Sequence, residues 1–378
     1  MTYRIAHLIT DLKNGGAQTM LYKMLSGLNK TQYHSTVLSL TTTDPIGDKI
    51  QALGVSVIEL GMRPNSLNPL PIIRLIRLFK ALRINLIHTW MYHADLIGAL
   101  AGFACHKTPV IWGIHHGELS PETTKRGTIL LANLNARLSS RLPREIVYVS
   151  DHARDIHHSI GYCNKRDQVI FNGVDLTDFY PNIESRYHIR SELGLASKTP
   201  LIGMIARFHP LKDYQTFIKA AGLIHQIKPD VHFLLCGDDV NADNRTMMEW
   251  IQAADITQVV HTLGHRKDVA HIIQSLDIAT STSRCESFSL VMAEAMACGV
   301  PCVTTDIPGP VSVVGPLGWI VPVGNPKALC NVWIKILHLT SEQRHEYAHA
   351  AQERVKTCFS IETMIRGYEL LYKEILKN

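Results

Sequence analysis

Two glutamates in one short segment offer the most specific chemistry in the chain. The segment reads Arg284-Cys-Glu-Ser-Phe-Ser-Leu-Val-Met-Ala-Glu and continues as Ala-Met-Ala-Cys-Gly-Val-Pro. Its apolar run predicts a helix that begins between Glu286 and Glu294, and helical rise limits their spacing to about 12 Å. Free amides of Ser289 and Leu290 at that helix start can hold a diphosphate, while the carboxylates bind hydroxyl groups on either side. The alternative is two solvated glutamates on a surface helix.

Two cations follow an earlier apolar strand. Ile205-Ala-Arg-Phe-His-Pro-Leu-Lys-Asp places Arg207 and Lys212 where a strand ends and a helix opens. In sheets of parallel strands, ligands bind at the carboxyl ends of the strands. Two cations there can stabilise the negative charge that develops on a departing diphosphate, without a metal ion. The alternative is that both side chains simply face solvent.

Two further turns are candidates for the same kind of site. Thr10-Asp-Leu-Lys-Asn-Gly-Gly-Ala-Gln follows the first strand, and Gly15 and Gly16 allow backbone to approach a ligand at a helix start. This turn is neither a dinucleotide fingerprint nor a Walker loop, so a plain tight turn is the alternative. Farther on, a strand ends in His115 and His116. His116 is the better candidate for lining a pocket, although adjacent histidines are equally compatible with a structural role.

The elements that must position these residues alternate along the chain. Short apolar runs predict strands and amphipathic stretches predict helices, which indicates two parallel sheets covered by helices on both faces. The first set of strands covers 3–8, 35–40, 55–60, 85–88, 110–112 and 145–149, with helices near 17–28, 69–83, 92–104, 124–139 and 151–160. The second set covers 200–206, 231–236, 259–262, 277–279 and 301–304, with helices near 212–226, 242–254, 267–275, 289–297 and 325–338. A last helix is predicted over 360–376.

The composition fits two domains of ordinary size, with 378 residues, 46% hydrophobic and 19% charged. The eight cysteines form no C-x-x-C pair, which favours reduced thiols. No apolar run reaches the roughly 18 residues of a membrane span, and the first residues lack the pattern of a secretory signal. We therefore expect a cytoplasmic protein. Asp238-Asp239 is not a D-x-D motif, so no metal site is predicted.

Charge is unevenly distributed along the chain. Residues 1–175 hold 19 Lys+Arg against 12 Asp+Glu, a net of +7, and residues 176–378 hold 19 against 21, a net of −2. The first half therefore favours an anionic partner. Residues 69–82 predict a helix with a broad apolar face and a basic stripe, which suits docking on an anionic membrane; a core helix with solvated charges is the alternative. The basic residues of this half include Arg74, Arg77, Lys80, Arg83, Arg126, Arg137, Arg141 and Arg144. No basic-aromatic motif points to nucleic acid.

Taken in order, these motifs resemble those of the retaining glycosyltransferases of family 4, which have the GT-B fold. The resemblance spans essentially the whole chain. It implies an α/β protein of two doubly wound Rossmann-like domains facing a central cleft. Residues 1–175 with 360–378 would form the acceptor-side domain, and residues 176–359 the nucleotide-sugar-binding domain. The matched motifs are Gly15-Gly16-Ala17, His116, Asn172-Gly-Val-Asp175, Arg207 with Lys212, and the segment from Glu286 to Glu294.

The resemblance also implies a role for each matched residue. Arg207 and Lys212 would bind the donor diphosphate, and Glu286 would hold hydroxyls of the transferred sugar. Glu294 would bind the ribose, and His116 would stand close to the sugar. The remaining donor contacts would come from Gly15, Gly16, Arg266, Phe288, Ser289 and Leu290.

The implied reaction moves a hexose or N-acetylhexosamine with retention and needs no cofactor. The donor would be a UDP-sugar in preference to a GDP-sugar, and the acceptor a hydroxyl of a glycan or polyprenyl-linked glycan. Relatives of this layout often build bacterial surface polysaccharides at the inner face of the cell membrane. Family members often have glycine where this chain has Ala206, Asp213, Ser287 and Ser289. The added side chains bear on which sugar the pocket prefers. A sugar-nucleotide epimerase of the same fold and a non-catalytic nucleotide-sugar- or glycan-binding protein are the competing interpretations.

Overall fold

The computed structural model describes residues 2–62, 70–105, 107–119, 124–163 and 165–377. The chain divides into two compact units. The first unit comprises Met1–Gly173 and Ile361–Asn378, and the second comprises Val174–Ser360. The limits expected from the sequence, 175/176 and 359/360, differ from these by two residues and by one residue.

The first unit is built on a seven-stranded sheet in which every neighbouring pair of strands is parallel. Its spatial order is β3-β2-β1-β4-β5-β6-β7, so the direction of winding reverses between β1 and β4. The strands are β1 (Tyr3–Ile9), β2 (Tyr33–Ser39), β3 (Ser56–Glu59), β4 (Leu86–Trp90), β5 (Val110–Ile114), β6 (Glu145–Tyr148) and β7 (Asp167–Val169). The connecting helices are α1 (Gly16–Gly27), α2 (Ile46–Ala52), α3 (Leu70–Ala81), α4 (Tyr92–Ala104), α5 (Arg126–Leu138) and α6 (Asp151–Ser159).

The second unit repeats this plan with six parallel strands in the order β10-β9-β8-β11-β12-β13. Its winding reverses between β8 and β11. The strands are β8 (Leu201–Ile205), β9 (His232–Cys236), β10 (Val260–Thr262), β11 (Ile278–Ser281), β12 (Cys302–Thr305) and β13 (Trp319–Val321). The helices are α7 (Ile183–Glu192), α8 (Tyr214–His225), α9 (Arg245–Ala253), α10 (Val269–Ser275), α11 (Leu290–Ala297), α12 (Pro308–Val314), α13 (Pro326–Leu337) and α14 (Ser341–Cys358).

The last helix, α15 (Ile361–Lys377), belongs to the first unit although it follows the second in the chain. Its apolar stripe, which includes Tyr368 and Tyr372, is buried. The hydroxyl of Tyr372 lies 2.7 Å from Nδ1 of His88 in β4, and the Glu369 carboxylate accepts a hydrogen bond from the amide of Asn29. These contacts bind the end of the chain to the first sheet.

Every strand and helix predicted from the sequence is present, although position 69, the start predicted for α3, lies outside the described residues. The elements that the sequence analysis missed are α2, β7, α7, α12, β13 and α14. Two of these are edge strands of only three residues, too short for a period-2 pattern to emerge. The helix α14 did carry a signal, since Thr340 and Gln343 form a capping box at its start. Across the described ranges, no helix has the length and apolar character needed to cross a bilayer.

Candidate active site

The reversal of winding in the second unit brings two candidate segments to the same edge of the sheet. Strand β8 ends just before Arg207, and its neighbour β11 ends just before the segment that carries Glu286. Ligands of doubly wound sheets bind at the carboxyl ends of the strands where the order reverses. The topology therefore places the predicted cations and the first predicted carboxylate beside this crevice.

Lys212 and Glu286 are in direct contact. Nζ of Lys212 lies 3.0 Å from Oε1 of Glu286, and the two side chains are 22% and 18% exposed. The other carboxylate oxygen of Glu286, Oε2, is buried and has no hydrogen-bond partner among the described residues. A buried carboxylate oxygen without a donor is costly unless a ligand supplies one. The pair thus presents a cation and a hydrogen-bond acceptor side by side.

The loop that carries Glu286 is held in place by Gly309, at the start of α12. A Cβ atom at this position would lie 2.1 Å from the carbonyl oxygen of Glu286 and 2.8 Å from the carbonyl carbon of Ser287. Only glycine lets the two backbones approach this closely. Gly309 was not among the predicted site residues, and the Pro-Gly-Pro at the start of α12 is its only local signal.

The predicted helix with the second glutamate is α11, and its first turn begins after Ser289. The side chain of Ser289 makes no capping hydrogen bond, and no acidic residue stands in the first turn. The first amides of a helix have no partner within it, so the amides from Leu290 onward can bind an anion. Glu294 lies in the second turn and is only 6% exposed. The Phe288 ring packs edge-on against Phe359, so any donor contact at Phe288 would involve its backbone.

Arg207 and Arg266 differ sharply in their surroundings. Arg207 is exposed and makes no ion pair or side-chain hydrogen bond with any residue in the described ranges. Arg266 is bound by Asp268 and Glu192 through contacts of 2.6 to 3.1 Å. These carboxylates raise the pKa of Arg266, Asp268 contributing most. Arg207 is therefore available to a ligand, whereas the guanidinium of Arg266 is already occupied by protein carboxylates.

The loop of Arg266 nevertheless lies at the same sheet edge. It follows β10, which is separated from β8 by β9 alone. Strands lie about 4.8 Å apart, so this loop is roughly 10 Å to one side of the end of β8. A ligand extended along the edge would reach from the Arg266 loop toward Lys212 and Glu286.

In the first unit, the corresponding edge holds a cavity of about 290 Å³. Its wall is formed by the ends of β1, β4 and β5 and the start of α5: Thr10, Asp11, Met91, Tyr92, His93, His116, Thr124, Lys125 and Thr128. Met91 has φ 75° and ψ 156°, a region that residues other than glycine rarely adopt. The predicted residue His116 thus lines a pocket, with its ring 5.6 Å from that of Tyr92. Partial desolvation lowers the pKa of His116, and Glu118 opposes the shift.

The other predicted residues of this unit have different surroundings. The half-buried His115 stacks on Trp90 with ring centroids 4.8 Å apart, and desolvation lowers its pKa to about 3. Gly15 precedes the first residue of α1, and a Cβ atom on Gly16 would have no atom of the described ranges within 4 Å. Neither glycine has a positive φ. Open space beside Gly16, rather than backbone strain, is what the structure provides for a ligand.

The structure thus brings Lys212, Glu286 and the start of α11 together, with Arg207 at the adjacent strand end. It shows no group of three or more His, Cys, Asp or Glu in the described part of the chain that could hold a metal ion. The contact of Lys212 with Glu286 and the support from Gly309 were not predicted, because nothing in the local sequence specifies either pairing.

Two family models match the chain in succession. The model described as Glycosyltransferase Family 4 matches residues 14–178, and the model described as Glycosyl transferases group 1 matches residues 185–354. The first covers most of the first unit, and the second covers most of the second unit. The motifs around Arg207, Lys212, Glu286 and Glu294 all fall within the second match.

Related proteins carry transferase and synthase names. The chain is 24% identical over 356 residues, 90% of its length and 92% of the relative, to the N,N'-diacetylbacillosaminyl-diphospho-undecaprenol alpha-1,3-N-acetylgalactosaminyltransferase of Campylobacter jejuni. It is 27% identical over 224 residues to the N-acetyl-alpha-D-glucosaminyl L-malate synthase of Bacillus anthracis. That second match spans 58% of this chain and only 57% of the relative.

Solved structures share the fold over nearly the full chain. HepE of Anabaena in complex with UDP superposes with a TM-score of 0.87 at 22% identity, covering 98% of this chain and 100% of that one. A glycosyltransferase of Rickettsia africae gives a TM-score of 0.85 at 20% identity, covering 100% and 99%. With two consecutive family models and neighbours of the GT-B class, this chain is a family 4-like glycosyltransferase with the GT-B fold.

Proposed function

We propose that this enzyme transfers a sugar from a UDP-sugar, with retention of anomeric configuration, to a hydroxyl of a lipid-linked glycan. The observation that carries the proposal is the contact between Lys212 and Glu286, together with Oε2 of Glu286, for which the described residues supply no donor. A sugar hydroxyl that donates to Oε2 would stand next to the Lys212 ammonium. The reacting sugar and its leaving diphosphate would then be held by adjacent groups.

Bond cleavage in this scheme is driven by stabilisation of the leaving group. As the bond between the anomeric carbon and the diphosphate oxygen breaks, its electron pair stays on the diphosphate. Lys212, the unpaired Arg207 and the first amides of α11 supply positive charge and hydrogen-bond donors for it. Attack by the acceptor hydroxyl on the face that the diphosphate leaves gives retention, and the departing diphosphate can take the hydroxyl proton.

The identity of the donor and acceptor is supported by the relatives. HepE has been solved with UDP-glucose as well as with UDP, and an Escherichia coli relative, 25% identical over 248 residues, is named a UDP-Gal:alpha-D-GlcNAc-diphosphoundecaprenol alpha-1,3-galactosyltransferase. The Campylobacter relative is also named for an undecaprenol-linked acceptor. We therefore favour UDP over GDP, a hexose or N-acetylhexosamine, and a role in bacterial surface polysaccharide synthesis. The cavity beside His116 and Lys125 would receive the acceptor.

A screen of nucleotide sugars tests the donor. A UDP-sugar present at about a hundred times its dissociation constant should stabilise the protein by about 2.7 kcal/mol. GDP-sugars at the same concentration should stabilise it less. Incubating the stabilising donor with and without an undecaprenyl-diphosphate glycan then tests the reaction, with the product anomer read by NMR. An inverted product contradicts retention. Epimerised donor formed without acceptor would favour an epimerase, and donor binding with no turnover would favour a binding protein.

We further propose that the first unit docks on an anionic membrane through the outer faces of α3, α4 and α5. Helix α4 contacts both of the others. These helices carry six of the exposed large apolar side chains of the molecule: Leu70, Ile73, Leu100, Phe103, Leu130 and Leu134. Exposed apolar groups clustered in this way mark interaction surfaces.

The charge of this face supports the same partner. Within 70–105 and 124–144 the only acidic residue is Asp95, which is buried. The exposed basic residues there are Arg74, Arg77, Lys80, Arg83, Lys125, Arg126, Arg137, Arg141 and Arg144. Each basic residue near an anionic surface contributes about 1 kcal/mol. Leu75 and Phe79 of α3 are buried in the core, so α3 both packs inward and presents its basic side outward.

Vesicle co-sedimentation tests the docking face. The protein should sediment with anionic vesicles and much less with neutral ones, and the double variant Phe103→Asp/Leu130→Asp should lose most of the binding. Ile227→Asp is the matched control, because Ile227 is 62% exposed in the second unit and should not affect binding. Equal sedimentation with both kinds of vesicle, or an unaffected double variant, would refute the docking proposal.

A further inference from the structure

We infer that Arg284 and Asp213 form a positioning pair that holds the Lys212 ammonium against Glu286. Nε and Nη2 of Arg284 each lie 3.0 Å from Oδ2 of Asp213. Asp213 directly follows Lys212, and Arg284 stands two residues before Glu286. The pair therefore joins the two loops that carry the proposed reactive groups, and this inference rests on the proposed function of that site.

Backbone and hydroxyl hydrogen bonds also join the turn that carries Lys212 to the segment that carries Arg284. The amide of Arg284 donates to the carbonyl of Leu211 at 2.8 Å. The hydroxyl of Thr282 lies 2.8 Å from the carbonyl oxygen of Lys212 and 3.0 Å from that of Asp213. The short turn Pro210–Lys212 after β8 is thus bound along its length to the segment that follows β11.

The backbone conformation and the burial of Asp213 are both unfavourable for an aspartate. Its φ is 50° and its ψ is 52°, a left-handed conformation that glycine adopts most easily. Its side chain is only 4% exposed. It also caps α8, since its Oδ1 accepts a hydrogen bond from the Thr216 amide at 3.3 Å, and its Oδ2 accepts one from the Thr216 hydroxyl at 2.8 Å. A buried carboxylate needs a charged or hydrogen-bonding partner, and Arg284, which is 54% exposed, is its cation.

The expected effect concerns placement of Lys212 rather than folding alone. Without the Arg284 guanidinium, the turn that carries Lys212 is held by fewer contacts, and the ammonium can leave Glu286. A misplacement of about 1 Å in a reacting group can lower turnover on the order of a hundredfold. Because Lys212 acts on charge that develops during bond cleavage, kcat should fall more than KM rises.

Three variants separate positioning from stability. Arg284→Ala leaves the Asp213 carboxylate buried without its cation and should lower both the melting temperature and kcat, the latter by about tenfold or more. Asp213→Gly removes the carboxylate while suiting the left-handed backbone, and glycine is tolerated as a helix N-cap. The double variant Arg284→Ala/Asp213→Gly should therefore regain the melting temperature of the wild type without regaining kcat. Recovery of wild-type kcat in the double variant would overturn the inference.

A control ion pair lies at the amino-terminal ends of the strands of the same sheet, where Asp277 is bound by both Arg186 and Arg190. Arg186 Nη2 pairs with Asp277 Oδ1 at 2.6 Å, with side chains 23% and 20% exposed, just before β11 begins. Arg186→Ala should lower stability but leave kcat unchanged at temperatures where the protein is folded. An equal loss of kcat in Arg186→Ala and Arg284→Ala would mean that Arg284 acts through stability alone, which would overturn the inference.

Chemical labelling tests the pair independently of any reaction. The rate of acylation of Lys212 by an amine-specific reagent, followed by peptide mass spectrometry, should rise several-fold in Arg284→Ala and stay at the wild-type rate in Arg186→Ala. An unchanged rate in Arg284→Ala would overturn the inference even in an active enzyme. Absence of transfer by the wild type would count against the proposed function, while the labelling result still decides the role of Arg284.

Discussion

Nζ of Lys212 lies 3.0 Å from Oε1 of Glu286, across the gap between two loops that follow neighbouring strands of one sheet. Each residue alone would be an ordinary charged side chain at a strand end. Together they place a cation and a partly unsatisfied carboxylate at the point where the winding of the sheet reverses.

Removing the cation should impair bond cleavage more than donor binding. Lys212→Ala is expected to lower kcat by about a hundredfold or more, because the charge on the departing diphosphate loses its partner. Steady-state transfer assays measure the effect. Lys219→Ala, on the exposed side of α8, is the control and should behave as the wild type. If the two variants turned over equally, Lys212 would have no part in the reaction.

Substitution of Gly309 should displace the loop that carries Glu286. In Gly309→Ala the new Cβ would lie 2.1 Å from the carbonyl oxygen of Glu286, so the loop must move, and kcat should fall by tenfold or more. Gly127→Ala serves as the control, since Gly127 is helical and no atom of the described residues lies within 4 Å of a Cβ there. That control should keep full activity and gain up to about 1 kcal/mol of stability. Full activity in Gly309→Ala would show that the loop tolerates the shift.

The reaction should not depend on a divalent metal ion. Arg207, Lys212 and the first amides of α11 are expected to neutralise the diphosphate without one. Transfer should therefore proceed at the same rate after dialysis against EDTA as before it. Loss of turnover that Mg²⁺ or Mn²⁺ restores would contradict this prediction.

Acid should destabilise the first unit through three histidines that are desolvated in the folded protein. Burial lowers the pKa of His7 and of His115 to about 3 and that of His88 well below its ordinary value. Above about pH 6.5 these histidines are neutral in both the folded and the unfolded chain, so they do not reduce the free energy of unfolding. As the pH falls from 6.5 toward 3, only the unfolded chain takes up these protons. Each histidine then removes up to about 1.4 kcal/mol per pH unit.

The free energy of unfolding in urea at pH 7.5, 6.0 and 5.0 measures this loss. His115→Gln should reduce the slope of stability against pH. His34→Gln, at an exposed position, should leave the slope unchanged. A free energy of unfolding that stayed constant from pH 7.5 to 5.0 would refute the account.

The sequence by itself determined most of the elements and the chemical inventory. Alternating apolar runs and amphipathic stretches specify strands and helices locally, since both depend on residues a few positions apart. This is why β8, β11 and α11 were located correctly, with Arg207, Lys212 and Glu286 in the segments after the two strands and Glu294 inside the helix. The short edge strands β7 and β13 were not predicted, because three residues are too few to show an alternating pattern.

Only the tertiary structure decided which of these residues meet. The contacts of Lys212 with Glu286, of Asp213 with Arg284, and of Gly309 with the Glu286 loop all join segments that are distant in the chain. The first two exist because β8 and β11 are neighbours in the sheet, and the third exists because β11 and β12 are neighbours. Both neighbourhoods depend on the packing of whole elements and not on local propensity. The same holds for Arg266 in the loop after β10, whose guanidinium is bound by Glu192 at the end of α7. No pattern around position 266 could have revealed that partner.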